Sequence, residues 1–172
     1  NYFYTQPNWS PDGKKIVSTV VGKAGKSLVI ADPLTGKMRA IIPFGYQDIG
    51  EPVFYGRFII YRAPYSGIDN IYAADTLTGR IFQVTSSRFG ASGPVVSPDG
   101  NKLVYSNYTA MGNELVWTTL DLTSWKPLFM VADNSLKLYE PLTKQMDFIF
   151  DPDSVPKVNY TAKPYRKVLN LF

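Results

Sequence analysis

Short apolar runs separated by turn residues dominate the first 129 residues of the chain. Residues 8–10 and 15–21 are rich in β-branched and aromatic side chains, which is typical of β-strands. No sustained 3.6-residue hydrophobic period, the mark of an amphipathic helix, occurs in this part of the chain. The pattern therefore predicts short strands joined by tight turns.

The clearest turn is Ser-Pro-Asp-Gly, at residues 10–13 and again at residues 97–100. Proline presets φ for one turn position, aspartate bonds nearby backbone, and glycine takes a positive φ at little cost. A structural device recurs along a chain, whereas a binding site usually occurs once. We therefore predict structural rather than cation-binding roles for four turn residues: Asp12, Gly13, Asp99 and Gly100.

The turn belongs to a longer repeat. Residues 7–17 match residues 94–104, and residues 51–60 form a shortened copy that has lost the Pro-Asp turn. Each copy has a proline at or next to its start, and these prolines, Pro7, Pro52 and Pro94, are 45 and 42 residues apart. A second element, residues 28–36, recurs at 71–79 and more loosely at 116–124. A period of this size with four strands per unit is typical of a propeller blade.

The expected fold is therefore all-β: a partial β-propeller of about three four-stranded antiparallel blades, followed by an irregular C-terminal tail. The blades are predicted at about residues 6–44, 50–85 and 93–129, within a propeller region of residues 1–129. Residues 130–172 form the tail, with a possible partial blade at 138–142 and 147–151 and an extended connector from residue 160.

The repeat closely resembles the TolB-type, WD-like propeller repeat of bacterial proteins. The likeness rests on the aromatic strand, the Ser-Pro-Asp-Gly turn, the apolar strand, the Asp-containing strand and Thr-Gly, and it covers residues 6–129. The tail resembles the segment that joins such propellers to a C-terminal outer-membrane-type barrel in large Bacteroidetes surface proteins. The resemblance implies a fragment of a Gram-negative envelope protein, located in the periplasm or cell envelope, with protein partners.

The amino-acid composition excludes several kinds of catalytic and metal-binding site. The chain has neither cysteine nor histidine, so it forms no disulfide, no thiolate or imidazole metal site and no Ser-His-Asp triad. A formal charge of +4 without a dense basic run does not indicate nucleic-acid binding. No apolar run approaches the roughly 20 residues of a transmembrane helix. We therefore expect no catalytic residues, no metal and no cofactor, and membrane association only through a domain outside this chain.

Three blades are too few for a closed ring, which takes about four to eight. A blade cannot bury its apolar faces alone. We therefore expect other copies of the chain to complete the ring as a homo-oligomer, missing blades of the parent protein to complete it, or the tail to cover the open face.

Other acidic residues also have a structural interpretation. Asp32, Asp75 and Asp121 fall near the same point of each predicted blade, where an acidic residue caps a hairpin in WD-type propellers. Asp151 and Asp153 do not complete a calcium-binding loop, because Val155, Pro156 and Lys157 follow.

The predicted binding surface lies in the two longest loops between strands, around residues 65–67 and 108–112, since propeller function is carried by loops on a rigid scaffold. The candidate binding residues are Arg62, Tyr65, Asn107 and Tyr108. Trp9, in contrast, is expected in the core.

Three functions remain open. The first is a non-enzymatic interaction or scaffold module of an envelope protein. The second is the accessory propeller of a hydrolase such as a prolyl-oligopeptidase-like peptidase. The third is a carbohydrate-binding or carbohydrate-cleaving propeller, although cleavage needs paired carboxylates and no acidic pair stands out from the turn aspartates.

Overall fold

A computed structural model of the chain describes residues 2–135 together with residues 137, 140 and 142. The chain divides into two units, Asn1–Leu136 and Lys137–Phe172, and the strands and contacts reported below all lie in the first. Apart from Glu140 and Leu142, the strands predicted in the tail lie outside the described residues. So do Asp151, Asp153 and the connector from residue 160.

Twelve strands occur in the described part of the chain. They are β1 (Phe3–Trp9), β2 (Ile16–Gly22), β3 (Gly25–Ala31), β4 (Met38–Gly45), β5 (Gly50–Tyr55), β6 (Phe58–Ala63), β7 (Asn70–Asp75), β8 (Ile81–Gln83), β9 (Ala91–Val96), β10 (Lys102–Thr109), β11 (Gly112–Thr119) and β12 (Lys126–Pro127). Two short 3₁₀ helices span Leu122–Ser124 and Leu128–Met130.

The strands form three antiparallel sheets, and apart from β12 each sheet is built from consecutive strands. The first sheet has the order β1-β2-β3-β4, and the third has the order β9-β10-β11. The second has the order β5-β6-β7-β8, with β12 added beside β8. The predicted all-β, antiparallel architecture is confirmed.

The third sheet differs from the expected four-stranded blade because it has three strands. After β11 the chain turns through the Leu122–Ser124 helix, which Asp121 caps by accepting a hydrogen bond from the Thr123 N–H. The Trp125 side chain then packs among the rings of Tyr55, Phe58 and Phe82. This burial brings Lys126–Pro127 to the edge of the second sheet, so the outermost strand joins the neighbouring blade.

The sheets pack face to face in chain order. β5 contacts both β1 and β9, so the first strands of the three sheets lie side by side. The core between the first and second sheets includes Leu28, Tyr61 and Tyr72. The core between the second and third includes Ile60 and Leu103. The second sheet is therefore buried on both faces.

Both Ser-Pro-Asp-Gly segments fold as closed turns between the first and second strands of their sheets. In the first copy the Gly13 N–H donates to the Ser10 carbonyl at 2.8 Å, and the Ser10 hydroxyl donates to Asp12 Oδ1 at 2.6 Å. Gly13 has φ +69° and Gly100 has φ +72°. The Asp12 carboxylate is therefore engaged within its own turn.

The aspartates at the next hairpin have a capping geometry. Asp32 accepts from the N–H groups of Leu34 and Thr35, and Asp75 accepts from those of Leu77 and Thr78. Asp75 is buried and also pairs with Arg57 at 3.1 Å. Burial alone would raise the pKa of Asp75, but these N–H groups and the guanidinium outweigh it and hold the pKa below its ordinary value.

The expected core position of Trp9 is wrong: its side chain is 57% exposed. Trp9 pairs with Ile16 on the face of the first sheet that points away from the second. An apolar residue at this position is suited to packing between blades. Among the described residues, however, no sheet lies on that side.

The pH dependence of stability follows from two groups of side chains. Hydrogen bonds and ion pairs lower the pKa of six aspartates, so the stability they contribute is present above their ordinary value and is lost as pH falls through the lowered one. These residues are Asp12, Asp32, Asp48, Asp75, Asp99 and Asp121. Burial raises the pKa of Tyr61, Tyr65 and Tyr72, so their contribution is lost as pH rises above about 10.

We therefore expect the thermal unfolding midpoint to stay constant between about pH 6 and pH 8, where no side chain of ordinary pKa titrates in a chain without histidine or cysteine. It should fall below about pH 4 and above about pH 10. Thermal melts followed by circular dichroism from acid to alkaline pH measure both limits. A midpoint that changes steeply between pH 6 and pH 8 would contradict this assignment.

Candidate functional site

A cleft of about 400 Å³ opens where the second and third sheets meet. One wall is the loop after β6, and the other is the segment leading into β9 together with the end of β10. The lining residues are Gly67, Ile68, Asp69, Phe89, Gly90, Ala91, Ser92 and Tyr108. The cleft is therefore formed by two loops, the start of β9 and the end of β10.

Backbone hydrogen bonds fix the walls of this cleft. The Ala91 N–H donates to the Asp69 carbonyl and the Tyr108 N–H donates to the Gly90 carbonyl, each at 2.8 Å. Gly67 has φ +88°, and the Asn134 carbonyl oxygen lies 2.5 Å from the place a Cβ would occupy. A side chain cannot be accommodated there, so Gly67 permits the close approach of two backbone segments.

Aromatic side chains form the rim. Phe89 and Tyr108 are each about half exposed, and Ile68 is more than one third exposed. The Arg88 guanidinium lies over the Phe89 ring at 5.3 Å from its centroid. Exposed aromatic and arginine side chains on a fixed backbone are the composition typical of protein-binding surfaces.

Arg62 lies below this rim, where its side chain is 13% exposed and contacts three carboxylates. Its guanidinium is 2.9 Å from Asp69, 3.2 Å from Asp48 and 3.4 Å from Glu51. Burial alone would lower the pKa of Arg62, but these carboxylates raise it above its ordinary value. Arg62 is thus paired with carboxylates of the same chain, and its ion pair with Asp69 holds one wall of the cleft in position.

Tyr65 does not occupy the expected surface position. Its side chain is buried, its hydroxyl lies 3.2 Å from that of Tyr61, and its ring packs edge-on against Tyr72 at 4.9 Å between centroids. Pro64, which precedes it, begins the loop, and the Gly67 N–H closes a turn on the Pro64 carbonyl. This turn directs the aromatic ring into the core between the first two sheets.

Asn107 and Tyr108 lie on β10 rather than in a long loop. Thr109 pairs directly with Gly112, so a two-residue hairpin replaces the longer loop that the sequence predicts. Asn107 is partly buried and pairs with Ala91 and Glu114. Among the four candidate binding residues, Tyr108 is the one whose side chain lines the cleft.

The sequence reasoning missed a polar connection between the sheets. Gln6 Oε1 accepts a hydrogen bond from the Glu51 N–H at 2.8 Å, and Glu51 Oε2 accepts one from the Gly93 N–H at 2.6 Å. These three residues immediately precede Pro7, Pro52 and Pro94, the prolines that mark the repeat. We call Gln6, Glu51 and Gly93 the inner-strand relay.

The relay residues share an uncommon backbone conformation. Gln6 has φ +53° and Glu51 has φ +58°, and the equivalent Gly93 has φ +62°. A positive φ costs free energy in a residue with a side chain, so it persists where the surroundings hold it. Here the Gln6 and Glu51 side chains each lie against the backbone of the next blade.

No cluster of three metal-ligating side chains occurs within residues 2–135 or at the three other described positions. The same part of the chain contains no helix long and apolar enough to cross a membrane.

No family model and no curated protein matches the sequence. Solved structures do match. TolB from Acinetobacter baumannii is 22% identical with a TM-score of 0.62, over 73% of this chain and 32% of that one. A TolB candidate from Agrobacterium tumefaciens is 21% identical with a TM-score of 0.61, over 75% and 49%. A puromycin-hydrolysing peptidase from Mycobacterium tuberculosis is 14% identical with a TM-score of 0.54, over 73% and 21%.

These likenesses establish the fold: the chain has a TolB-like β-propeller architecture. It spans about a third of one TolB structure and about half of the other.

Proposed function

We propose that the chain is a non-enzymatic interaction module of a larger Gram-negative envelope protein, and that the cleft rimmed by Phe89 and Tyr108 is its contact surface. The observation that carries the proposal is the pairing of half-exposed aromatic side chains with walls that the backbone holds fixed. Rigid aromatic anchors supply contact area at low entropic cost. The periplasmic or envelope setting is what the TolB-type resemblance implies.

The charge of the site is compatible with a polypeptide ligand. Arg88 lies at the rim over Phe89, while the Asp69 carboxylate below it is already paired with Arg62. The Arg88 guanidinium is therefore accessible to a ligand, whereas the charge of the Asp69 carboxylate is balanced by Arg62. We propose an extended segment carrying an apolar or aromatic side chain for the cleft and an acidic group for Arg88.

The test is a selection of random peptides displayed on phage against the immobilised chain. Binding of the selected synthetic peptides is then measured against three proteins: the wild type, Tyr108→Ala and Leu34→Ala. Tyr108→Ala should weaken binding at least about tenfold, because it removes a central aromatic anchor. Leu34, almost fully exposed in the turn after β3, is the matched control and should leave binding unchanged.

Two results would contradict the proposal. Equal binding to both variants would show that the cleft is not the contact surface. Hydrolysis of the bound peptides by the purified chain would contradict a non-enzymatic role.

A second candidate is the accessory propeller of a hydrolase, which the likeness to the puromycin-hydrolysing peptidase supports. The two candidates differ in the polypeptide they predict beside the propeller. The first predicts further blades or a membrane domain, and the second predicts a hydrolase domain. Reading the coding sequence on both sides of these 172 residues discriminates between them.

A further inference from the structure

The third sheet ends in a long strand that has a neighbour on one side only. This strand, β11, pairs with β10 over all eight of its residues. The first sheet has a fourth strand at the corresponding place, whereas β12, the strand that follows β11 in the chain, lies beside β8 instead. Among the described strands none lies beyond β11. We call its outer side the open edge.

The backbone groups that point to the open edge can be identified. Successive residues of an antiparallel strand direct their N–H and C=O groups alternately to one side and to the other. The Leu120 N–H donates to the Asn101 carbonyl at 2.9 Å, so Leu120 and every second residue before it face β10. The side chains of the residues that face the open edge are all exposed. These residues are Asn113, Leu115, Trp117 and Thr119.

In the described part of the chain, each of the other five strands at the edge of a sheet carries a feature that disfavours a further strand. All five contain a proline: Pro7 in β1, Pro43 in β4, Pro52 in β5, Pro94 in β9 and Pro127 in β12. Four of them also pair irregularly with their neighbour, and β12 has only two residues. Proline, bulges and short length are usual protections of a sheet edge. β11 has none of them, so its edge can accept an added strand.

We propose that β11 pairs antiparallel with β11 of a second copy of the chain, about a two-fold axis at Val116. The pairing joins the two third sheets edge to edge into one continuous sheet. In this register Leu115 lies opposite Trp117 of the other copy, and Asn113 lies opposite its Thr119. Each residue that faces the open edge thus meets another of the same set, so the N–H and C=O groups of all of them are hydrogen-bonded.

The side chains of β11 make its own sequence a suitable partner. Leu115 is 82% exposed and Trp117 is 59% exposed, and the axis at Val116 brings them together as aromatic–aliphatic cross-strand pairs, which stabilise antiparallel sheets. An axis one residue away would place one of these side chains opposite a polar residue. Glu114 is the one charged residue of β11, and in this register it lies opposite Thr118 of the other copy rather than another carboxylate.

Sedimentation equilibrium measures the association. We expect the wild-type chain to show a monomer–dimer equilibrium with a Kd of about 1–100 µM, as suits a small interface. Leu115→Pro removes an N–H that points to the open edge and leaves the bonds to β10 intact, so it should weaken the dimer at least about thirtyfold. Leu115→Ala is the matched control, because it removes the same side chain but keeps the N–H, and should weaken the dimer about threefold.

The dimer is independent of the proposed peptide site, because β11 contributes no residue to the cleft rimmed by Phe89 and Tyr108. Tyr108→Ala should therefore leave the Kd of the dimer unchanged. Failure of the peptide site and failure of the dimer are thus separate results.

Two substitutions at Thr118 test the register without a proline. Thr118→Lys brings a cation opposite Glu114 of the other copy, and Thr118→Glu brings a carboxylate there. The lysine variant should dimerise about threefold more tightly than the wild type, and the glutamate variant about threefold more weakly, because each dimer contains the pair twice. Adding Glu114→Lys to Thr118→Glu restores opposite charges and should recover the lost affinity.

Amide hydrogen exchange followed by NMR locates the pairing. Above the Kd, the amides of Leu115 and Trp117 should be protected, and dilution well below the Kd should remove this protection. The amides of Val116 and Thr118, which face β10, should stay protected at both concentrations.

Three results would overturn the proposal. One is a wild-type chain that stays monomeric at about 1 mM. Another is a folded Leu115→Pro chain, with the wild-type melting midpoint, that dimerises as tightly as the wild type. The third is protection of Leu115 and Trp117 that does not change on dilution, which would assign the open edge to another segment of the same chain. If Leu115→Pro does not fold, the Thr118 variants decide, and equal Kd values for Thr118→Lys and Thr118→Glu would contradict the pairing.

Discussion

Replacing Trp125 with alanine should lower the free energy of unfolding by about 3–5 kcal/mol. The indole is 7% exposed and lies within 5.2–6.3 Å, between ring centroids, of Tyr55, Phe58 and Phe82. Its loss leaves a cavity in the core between the second and third sheets, and it releases the segment that carries β12. Urea unfolding followed by circular dichroism measures the effect.

The chain contains a matched control for this change. Trp117 is 59% exposed on the open face of the third sheet, beneath the Lys102 ammonium. Trp117→Ala should lower the free energy of unfolding by less than about 1 kcal/mol, as is usual for an exposed position. Equal losses from the two substitutions would contradict the packing of Trp125 between the sheets.

Replacing Glu51 with alanine should lower the free energy of unfolding by about 2–3 kcal/mol. The carboxylate accepts from the Gly93 N–H at 2.6 Å and lies 3.4 Å from the Arg62 guanidinium. The substitution leaves that N–H without its acceptor and removes one of the three carboxylates around a largely buried cation. The link between the second and third sheets is therefore weakened.

Two further variants separate the lost hydrogen bond from the lost charge. Glu51→Gln keeps an acceptor oxygen, as Gln6 does in the first sheet, and should recover more than half of the loss. Glu114→Ala removes the same charge from an exposed position on β11 and should change the free energy of unfolding by less than about 0.5 kcal/mol. A Glu114→Ala effect as large as that of Glu51→Ala would assign the loss to net charge instead.

The fold could be predicted from sequence because its turns have a local cause. Ser10, Asp12 and Gly13 form their turn with hydrogen bonds among five successive residues. The four-residue motif Ser-Pro-Asp-Gly is therefore enough to locate the turn. The same holds for Asp32 and its neighbours. A period of 42 to 45 residues then follows from the spacing of such turns.

Trp9 and Tyr65 were misplaced because burial depends on what lies opposite a residue. An aromatic residue at the Trp9 position is partly buried when a preceding sheet packs on it, as Phe54 shows at the equivalent position of β5, and exposed when none is described. Tyr65 follows a loop proline and so resembles a surface residue, yet the turn at Gly67 directs it toward Tyr61 and Tyr72. Neither outcome is determined by the residue and its immediate neighbours.

The cleft and the relay join residues far apart in the sequence. Gly67 and Tyr108 line the same cleft from two different sheets, and the Glu51 carboxylate bonds the Gly93 N–H over a separation of 42 residues. The sequence does contain a pattern that marks the relay. A residue with a polar side chain precedes the first two repeat prolines, and glycine precedes the third. Its meaning required the positive φ values and the side-by-side packing of β1, β5 and β9.

In this fold the three sheets are consecutive blades joined through their first strands. Amide hydrogen exchange followed by NMR, at Glu51 and Gly93, tests this most directly, because each amide is bonded to a side chain of the preceding blade. We expect both amides to be protected in the wild type, with Gln6→Ala deprotecting Glu51 and Glu51→Ala deprotecting Gly93. Amides that exchange at the same rate in the wild type and in these variants would contradict the relay and the blade order it defines.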